Sequence, residues 1–276
     1  MSVTSMHAAS REALADAEHR LDGVLADTGA DPTAVGGELS SFAEVLSAEI
    51  GLRRALSDAS ASETARNGLL QDLVGGKLSE HAARVLETVV TSRWSSPREL
   101  ADGVRTLATS ALLVAAERDG ALDTVESELF GVARALGEDP ELEQALSDQT
   151  GTAQAKRALV QQVFGGKINP VTQTLLEQTA IRTRGRGVQH GLDALTELAA
   201  KRRERSVAHV VTAGPLSEDQ RGTLVEKLNR IYGRPIALHV EVRPSVIGGI
   251  VVKVGDEVID GSSAGRIMAL RGQLAG

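Results

Sequence analysis

The chain has 276 residues, 42% hydrophobic and 24% charged, which allows two or three separate cores and excludes wholesale disorder. A net charge of −7 and an aromatic share of 2% weigh against nucleic-acid binding, which draws on surplus Lys and Arg and on stacking rings. There is no cysteine, so disulfides, thiolate nucleophiles and Cys-ligated metals are excluded.

Ser10 to Leu25 places Leu14, Leu21 and Leu25 on one stripe, with Ala17 between them, and predicts an amphipathic helix. Asp31-Pro32 and Gly36-Gly37 read as punctuation. A helix from Leu39 through Leu46 is expected next, then a short one around Leu52 to Leu56. A run from near Ser62, with Leu69, Leu70, Leu73 and Val74, stops at Gly75-Gly76, where a glycine can take the left-handed conformation of a helix end. Ser79 to about Thr91 follows, with Ala82, Val85, Leu86, Val89 and Val90 as its apolar side.

The chain then repeats itself at an offset of about ninety residues. Glu38-Leu39, Ala43, Leu46, Leu52 and Leu56-Ser57-Asp58 return as Glu128-Leu129, Ala133, Leu136, Leu142 and Leu146-Ser147-Asp148. Gly75-Gly76-Lys77 returns as Gly165-Gly166-Lys167. One register held across such different segments predicts a duplicated helical bundle. Between the copies, Pro97 to about Arg118 carries Val104, Leu107, Ala111 and Val114 on one face, so a single helix is expected to run from one copy into the next. Copy two ends near Arg184-Gly185-Arg186-Gly187, and a last helix with Leu192, Leu195 and Leu198 leads to the basic run Lys201-Arg202-Arg203-Glu204-Arg205, read as a solvated helix end. The longest apolar run, Leu107 to Ala116, falls far short of the ~20 residues a membrane span needs, and Met1 to Arg20 has no apolar signal core.

From Val207 the period changes. Val207 to Thr212 reads as a strand, Ser217 to Tyr232 as a helix opened by a Ser217…Gln220 capping box, and Ile236, Leu238, Val240 and Val242 as a second strand. Ile250 to Val254 and Glu257 to Ile259 form a hairpin across Gly255-Asp256, a link suited to a II′ turn. A helix capped by Ser262 or Ser263, with Ile267, Leu270 and Leu274 on one stripe, completes the tail. The fold expected is mainly α with a small α+β C-terminal domain: helical bundles over 1–96 and 97–205, then a β-α-β-β-β-α unit over 206–276.

The run Ile247-Gly248-Gly249-Ile250, Val254-Gly255-Asp256, Val258-Ile259-Asp260-Gly261-Ser262 and Gly265-Arg266 resembles the C-terminal signature of the δ subunit of F-type ATP synthases, whose mitochondrial counterpart is the oligomycin-sensitivity-conferring protein. Ala9-Ser10-Arg11-Glu12-Ala13-Leu14 is loosely similar to that family's Y-A-x-A-L opening. The resemblance implies a non-catalytic stator subunit of the peripheral stalk, with no cofactor, peripheral on the cytoplasmic face of a bacterial cell membrane. It implies α subunits of the catalytic head as partners of the helical bundles and b-type stalk subunits as partners of the C-terminal domain. Gly248, Gly249, Gly255, Asp256, Asp260, Gly261, Ser262, Gly265 and Arg266 are its signature positions, structural in role. The second bundle departs from the family. Both copies are expected to bind amphipathic segments in a groove, and the alternative is that one is a spacer.

Enzymatic readings lack support. Gly261-Ser262-Ser263-Ala264-Gly265 fits G-x-S-x-G, but the last histidine, His239, precedes it, against the α/β-hydrolase order. The two Gly-Gly-Lys turns have Gln71 and Gln161 where a phosphate loop needs Gly, and Leu78 and Ile168 where it needs Ser or Thr. The six histidines show no metal-ligand spacing, and Asp22, Asp119 and Asp123 read as helix-end residues. The remaining alternative is a scaffold for RNA or a regulatory partner, using Arg182, Arg184, Arg186 and Lys201 to Arg205.

Overall fold

The computed structural model describes residues 6–183, 187–205, 207–232, 236–243, 248–255 and 257–261. Two units form, residues 1–199 and 200–276. The first holds α1 (Ala8–Leu25), α2 (Pro32–Ala48), α3 (Ile50–Ser57), α4 (Glu63–Val74), α5 (Glu80–Thr91) and α6 (Pro97–Arg118). It continues with α7 (Leu122–Glu138), α8 (Pro140–Ser147), α9 (Ala153–Phe164), α10 (Pro170–Ile181) and the start of α11 (Gly187–Arg205). Helices α2 to α5 and α7 to α10 begin and end at the same offset, so the duplication read from the sequence holds turn by turn.

Polar contacts repeat with the helices. The Glu38 carboxylate accepts from the Ser79 N–H and hydroxyl at the start of α5, and Glu128 accepts from the Asn169 N–H and Thr172 hydroxyl at the start of α10. Negative charge there complements the helix dipole. At the opposite ends, buried Arg66 donates to the carbonyls of Val90, Thr91 and Ser92, while buried Lys156 donates to that of Ala180 at 2.6 Å. Asp58 and Asp148 each accept from the residue two further on, Ser60 and Thr150.

The helix joining the copies belongs to both. Leu100, Val104, Leu107, Ala108, Ala111 and Val114 of α6 lie in the first core, while Leu112, Leu113 and Ala116 lie in the second. Ser96 caps this helix through the Glu99 N–H, and Pro97 occupies its first turn, where the sequence places it. Gly36-Gly37 does not break the chain, contrary to expectation. Both glycines lie inside α2, where a Cβ on Gly36 would sit 3.0 Å from Leu112 Cγ and 3.2 Å from the Ala108 carbonyl. The glycine is there for close helix approach, and tertiary packing outweighs its poor helix propensity.

The second unit has β1 (Val207–Thr212), α12 (Glu218–Tyr232), β2 (Ala237–Val242), β3 (Ile250–Val254) and β4 (Glu257–Asp260), in sheet order β2-β1-β3-β4. β1 runs parallel to β2 and antiparallel to β3, and β3 pairs with β4 in the expected hairpin register, Val254 opposite Glu257. The reciprocal Ser217–Gln220 capping box opens α12. Ala208, Val210, Val252, Val254 and Leu228 form the core between sheet and helix. The predicted final helix lies outside the described residues.

Candidate interaction surfaces

Both Gly-Gly-Lys turns serve the fold. Gly76 and Gly166 adopt φ of 73° and 70°, and the Lys77 and Lys167 ammonium groups turn back onto the Leu73 and Val163 carbonyls of their own helices. Among the described residues no group of three or more His, Asp or Glu side chains could hold a metal ion. Asp119 is the C-cap residue of α6, whereas Asp123 falls in the first turn of α7, which starts after Ala121 without a side-chain cap.

Three features of the helical unit depend on residues far apart in sequence. The first is the joint between copies. Arg182, at the end of α10, reaches the Ser40 hydroxyl and lies 3.8 Å from Glu44, both on α2, and Arg157 lies 3.9 Å from the same carboxylate. Arg105 of α6 bonds Asp102 and the Ser47 hydroxyl. Burial, then the positive charges of Arg105 and Arg157, push the Arg182 guanidinium down to about 10 against the pull of Glu44, and it stays charged at neutral pH. Arg182 therefore fastens copy two to copy one; Arg184 and Arg186 lie outside the described residues.

The second feature holds the start of α1. The Glu99 carboxylate, 3% exposed as a residue, accepts from the His7 N–H at 2.9 Å and the Ser10 hydroxyl at 2.8 Å, with His7 Nδ1 at 2.9 Å. Burial alone would raise its pKa, but the bonds from His7 and Ser10 outweigh it and hold the carboxyl below its usual range.

The third feature is a pair of concavities. One, about 1060 Å³, lies over α1, the end of α3 and the α5–α6 link; Glu12, Asp16, Asp58, Arg54 and Arg93 line it, with Trp94 as its large apolar side chain. The other, about 420 Å³, lies between α6, α10 and α11, with Leu175, Leu195 and Leu198 among its lining and Arg98, Arg105 and Arg182 around them. The second has the mixed character of a groove for an amphipathic segment.

In the C-terminal unit Gly248, Gly249 and Gly255 take φ of 66°, 83° and 58°, a region costly for any residue with a Cβ. Gly255 accordingly opens the two-residue hairpin link. Asp260 pairs with Val251 at the end of β4, and the Gly261 N–H donates to the Ile250 carbonyl at 2.9 Å, closing the β3–β4 pair. Asp256, Ser262, Gly265 and Arg266 lie outside the described residues. Sequence spacing did not foretell that His209 and His239 stand side by side, rings 5.4 Å apart, on paired parallel strands with Lys253 across from His209. Alternation along β1 and β2 puts both on one face, a signal that becomes useful only once the strand register is known.

A model of the family described as ATP synthase delta (OSCP) subunit matches residues 105–274. Its match begins inside α6 and covers copy two and the C-terminal unit. A protein called ATP synthase subunit delta from Streptomyces griseus is 43% identical, covering 98% of this chain and 100% of that protein. Proteins of the same name from Corynebacterium diphtheriae and Nocardia farcinica are 44% and 43% identical, each again over 98% of this chain and 100% of the relative. Among solved structures, one chain from the Toxoplasma gondii mitochondrial ATP synthase hexamer matches 61% of this chain and 95% of its own, at 25% identity and a TM-score of 0.32. The bacterial relatives are matched along their whole length, so they too extend over the part ahead of residue 105. On the family match and these full-length relatives, the chain belongs to the ATP synthase delta (OSCP) subunit family.

Proposed function

We propose that this chain is a non-catalytic subunit of the peripheral stalk of an F-type ATP synthase. Its helical bundles hold α subunits of the catalytic head, and its C-terminal unit holds the b-type subunits anchored in the membrane. The head is then kept still against the rotor, and proton-driven rotation is coupled to ATP synthesis. In this reading the chain sits peripherally on the cytoplasmic face of the bacterial membrane, attached through its partners; no helix among the described residues is long and apolar enough to cross it.

The observation that carries the mechanical part is α6. A tether that resists torque must not bend between its grips, and a 22-residue helix buried in two successive cores has no flexible link where the copies meet. The Arg182–Glu44 joint adds a second connection beside it. Depleting the chain from native membranes is expected to release the head and abolish ATP-driven proton pumping in inverted vesicles, with both restored by adding the chain back. Pumping that persists without it would refute the proposal.

A further inference from the structure

The open face of the small sheet carries a pair of side chains that neither the core nor the proposed tether uses. Ala208, Val210, Val252 and Val254 turn inward to pack with Leu228 of α12. By alternation His209, His239 and Lys253 stand on the other face, where all three are exposed. Strand register alone brings the two imidazoles together. β1 and β2 run parallel with His209 the direct partner of His239, and the ring centroids lie 5.4 Å apart.

That spacing is close to the one a shared metal ion sets. An imidazole nitrogen binds zinc at about 2.0–2.1 Å, and the ring centroid lies roughly 1.1 Å behind the nitrogen, so two rings on one tetrahedral ion have centroids about 5.2 Å apart. A right angle at the metal, as in square-planar or octahedral coordination, would draw them in to about 4.5 Å. Both side chains are exposed, so small turns about their torsions are enough to aim a nitrogen of each at the point between them.

The surroundings set how firmly such an ion is held. Lys253 stands across from His209 on β3, and its ammonium opposes a cation. Glu241 follows His239 on the same face of β2, but Arg243 donates to its carboxylate at 2.8 Å. Asp260 on β4 pairs with Val251, one register position away from Lys253. Among the described residues no third His, Asp or Glu completes a larger set with this pair, so water fills the remaining coordination positions.

We infer that His209 and His239 form a two-imidazole site for a divalent metal of the zinc type, which clips β1 to β2 on the open face of the sheet. The inference rests on the strand register and is independent of the function proposed above.

Zinc titrated into the full chain by calorimetry is expected to fill one such site per chain. His209→Gln and His239→Gln should each weaken it at least ~10-fold, and the double variant no further, because losing either ligand already removes the chelate. Gln is a polar replacement on an exposed strand face, and a metal-free melt matching that of the native chain checks the fold. His190→Gln, in the helical unit, should leave the affinity unchanged. Lys253→Glu removes the opposing charge and supplies a third ligand, so it should tighten zinc at least ~10-fold. Zinc that binds either single variant as it binds the native chain would overturn the site and leave the two rings as an edge-to-face contact only. An equal loss in His190→Gln, or an unchanged affinity in Lys253→Glu, would overturn it as well.

Discussion

Replacing Arg66 by Met tests at once how the helices are capped and whether the copies unfold together. Arg66 is 7% exposed, and its guanidinium donates to the carbonyls of Val90 at 2.6 Å, Ser92 at 2.9 Å and Thr91 at 3.0 Å, the last acceptors of α5 and its exit. Met keeps an unbranched apolar stem, so the loss is mainly of the charged bonds and of the positive charge at the helix end. Hydrogen bonds to charged groups contribute roughly 1.5–3 kcal/mol each, partly offset by no longer burying a guanidinium, and the net cost expected is about 3 kcal/mol. Because α6 lies in both cores, residues 1–199 should melt as one unit. For a unit of that size each kcal/mol moves Tm by roughly 2–4 °C, so a drop of about 6–12 °C is expected. Far-UV circular dichroism reports both copies, whereas Trp94, the chain's one tryptophan, reports copy one. The two signals should shift together. A drop under about 2 °C would refute the capping energetics, and a biphasic melt in which only the Trp94 signal moves would refute the shared core.

Lys156→Met, which removes one such bond in copy two, is expected to cost less, about 1–2 kcal/mol in the same melt. Gly103→Ala forces a methyl against the Trp94 ring and should cost about 1–3 kcal/mol and shift the tryptophan emission to the red; unchanged emission would contradict that contact. Gly36→Val should cost a similar ~1–3 kcal/mol through Leu112 and the Ala108 carbonyl, whereas Gly37→Ala, with nothing near its Cβ position, should stabilise α2 by ~0.5–1 kcal/mol. Glu99 has its pKa depressed in the folded state, so its contribution is complete above its ordinary 4.5 and is lost as pH falls through the lower folded-state value. Urea titrations stepped from pH 6 to pH 3 should show that loss in the native chain, and Glu99→Gln should be less stable at pH 6 and flatter below it.

Local signals carried most of the fold. Helix limits set by Ser62, Ser79 and Ser96 caps, by Pro97, and by Gly76 were legible because capping uses residues adjacent in sequence. The hairpin was legible for the same reason, since a two-residue link fixes its register. Gly36-Gly37 misled because its cause lies seventy-odd residues away: a glycine kept for contact with Leu112 has the same local appearance as one kept for a turn. The candidate surfaces were legible only in part. Arg182 looked like a member of a basic patch until Ser40 and Glu44 were seen beside it, and nothing near it in sequence names those partners.

Two copies that share a helix cannot be tuned independently, and this constrains how a duplicated bundle diverges. Residues of α6 that fill the first core, such as Val104 and Leu107, lie on the same rigid rod as Arg98, Asp102 and Arg105, which face the groove of copy two. Separating α5 from α6 in copy one would strip apolar cover from α6 and move the wall of that groove. Trp94, bonded to the Val89 carbonyl and seated on Gly103, fixes α6 against α5 and keeps that wall in place. A force arriving at copy two therefore passes through α6 and the Arg182–Glu44 joint into a core of nearly the same design.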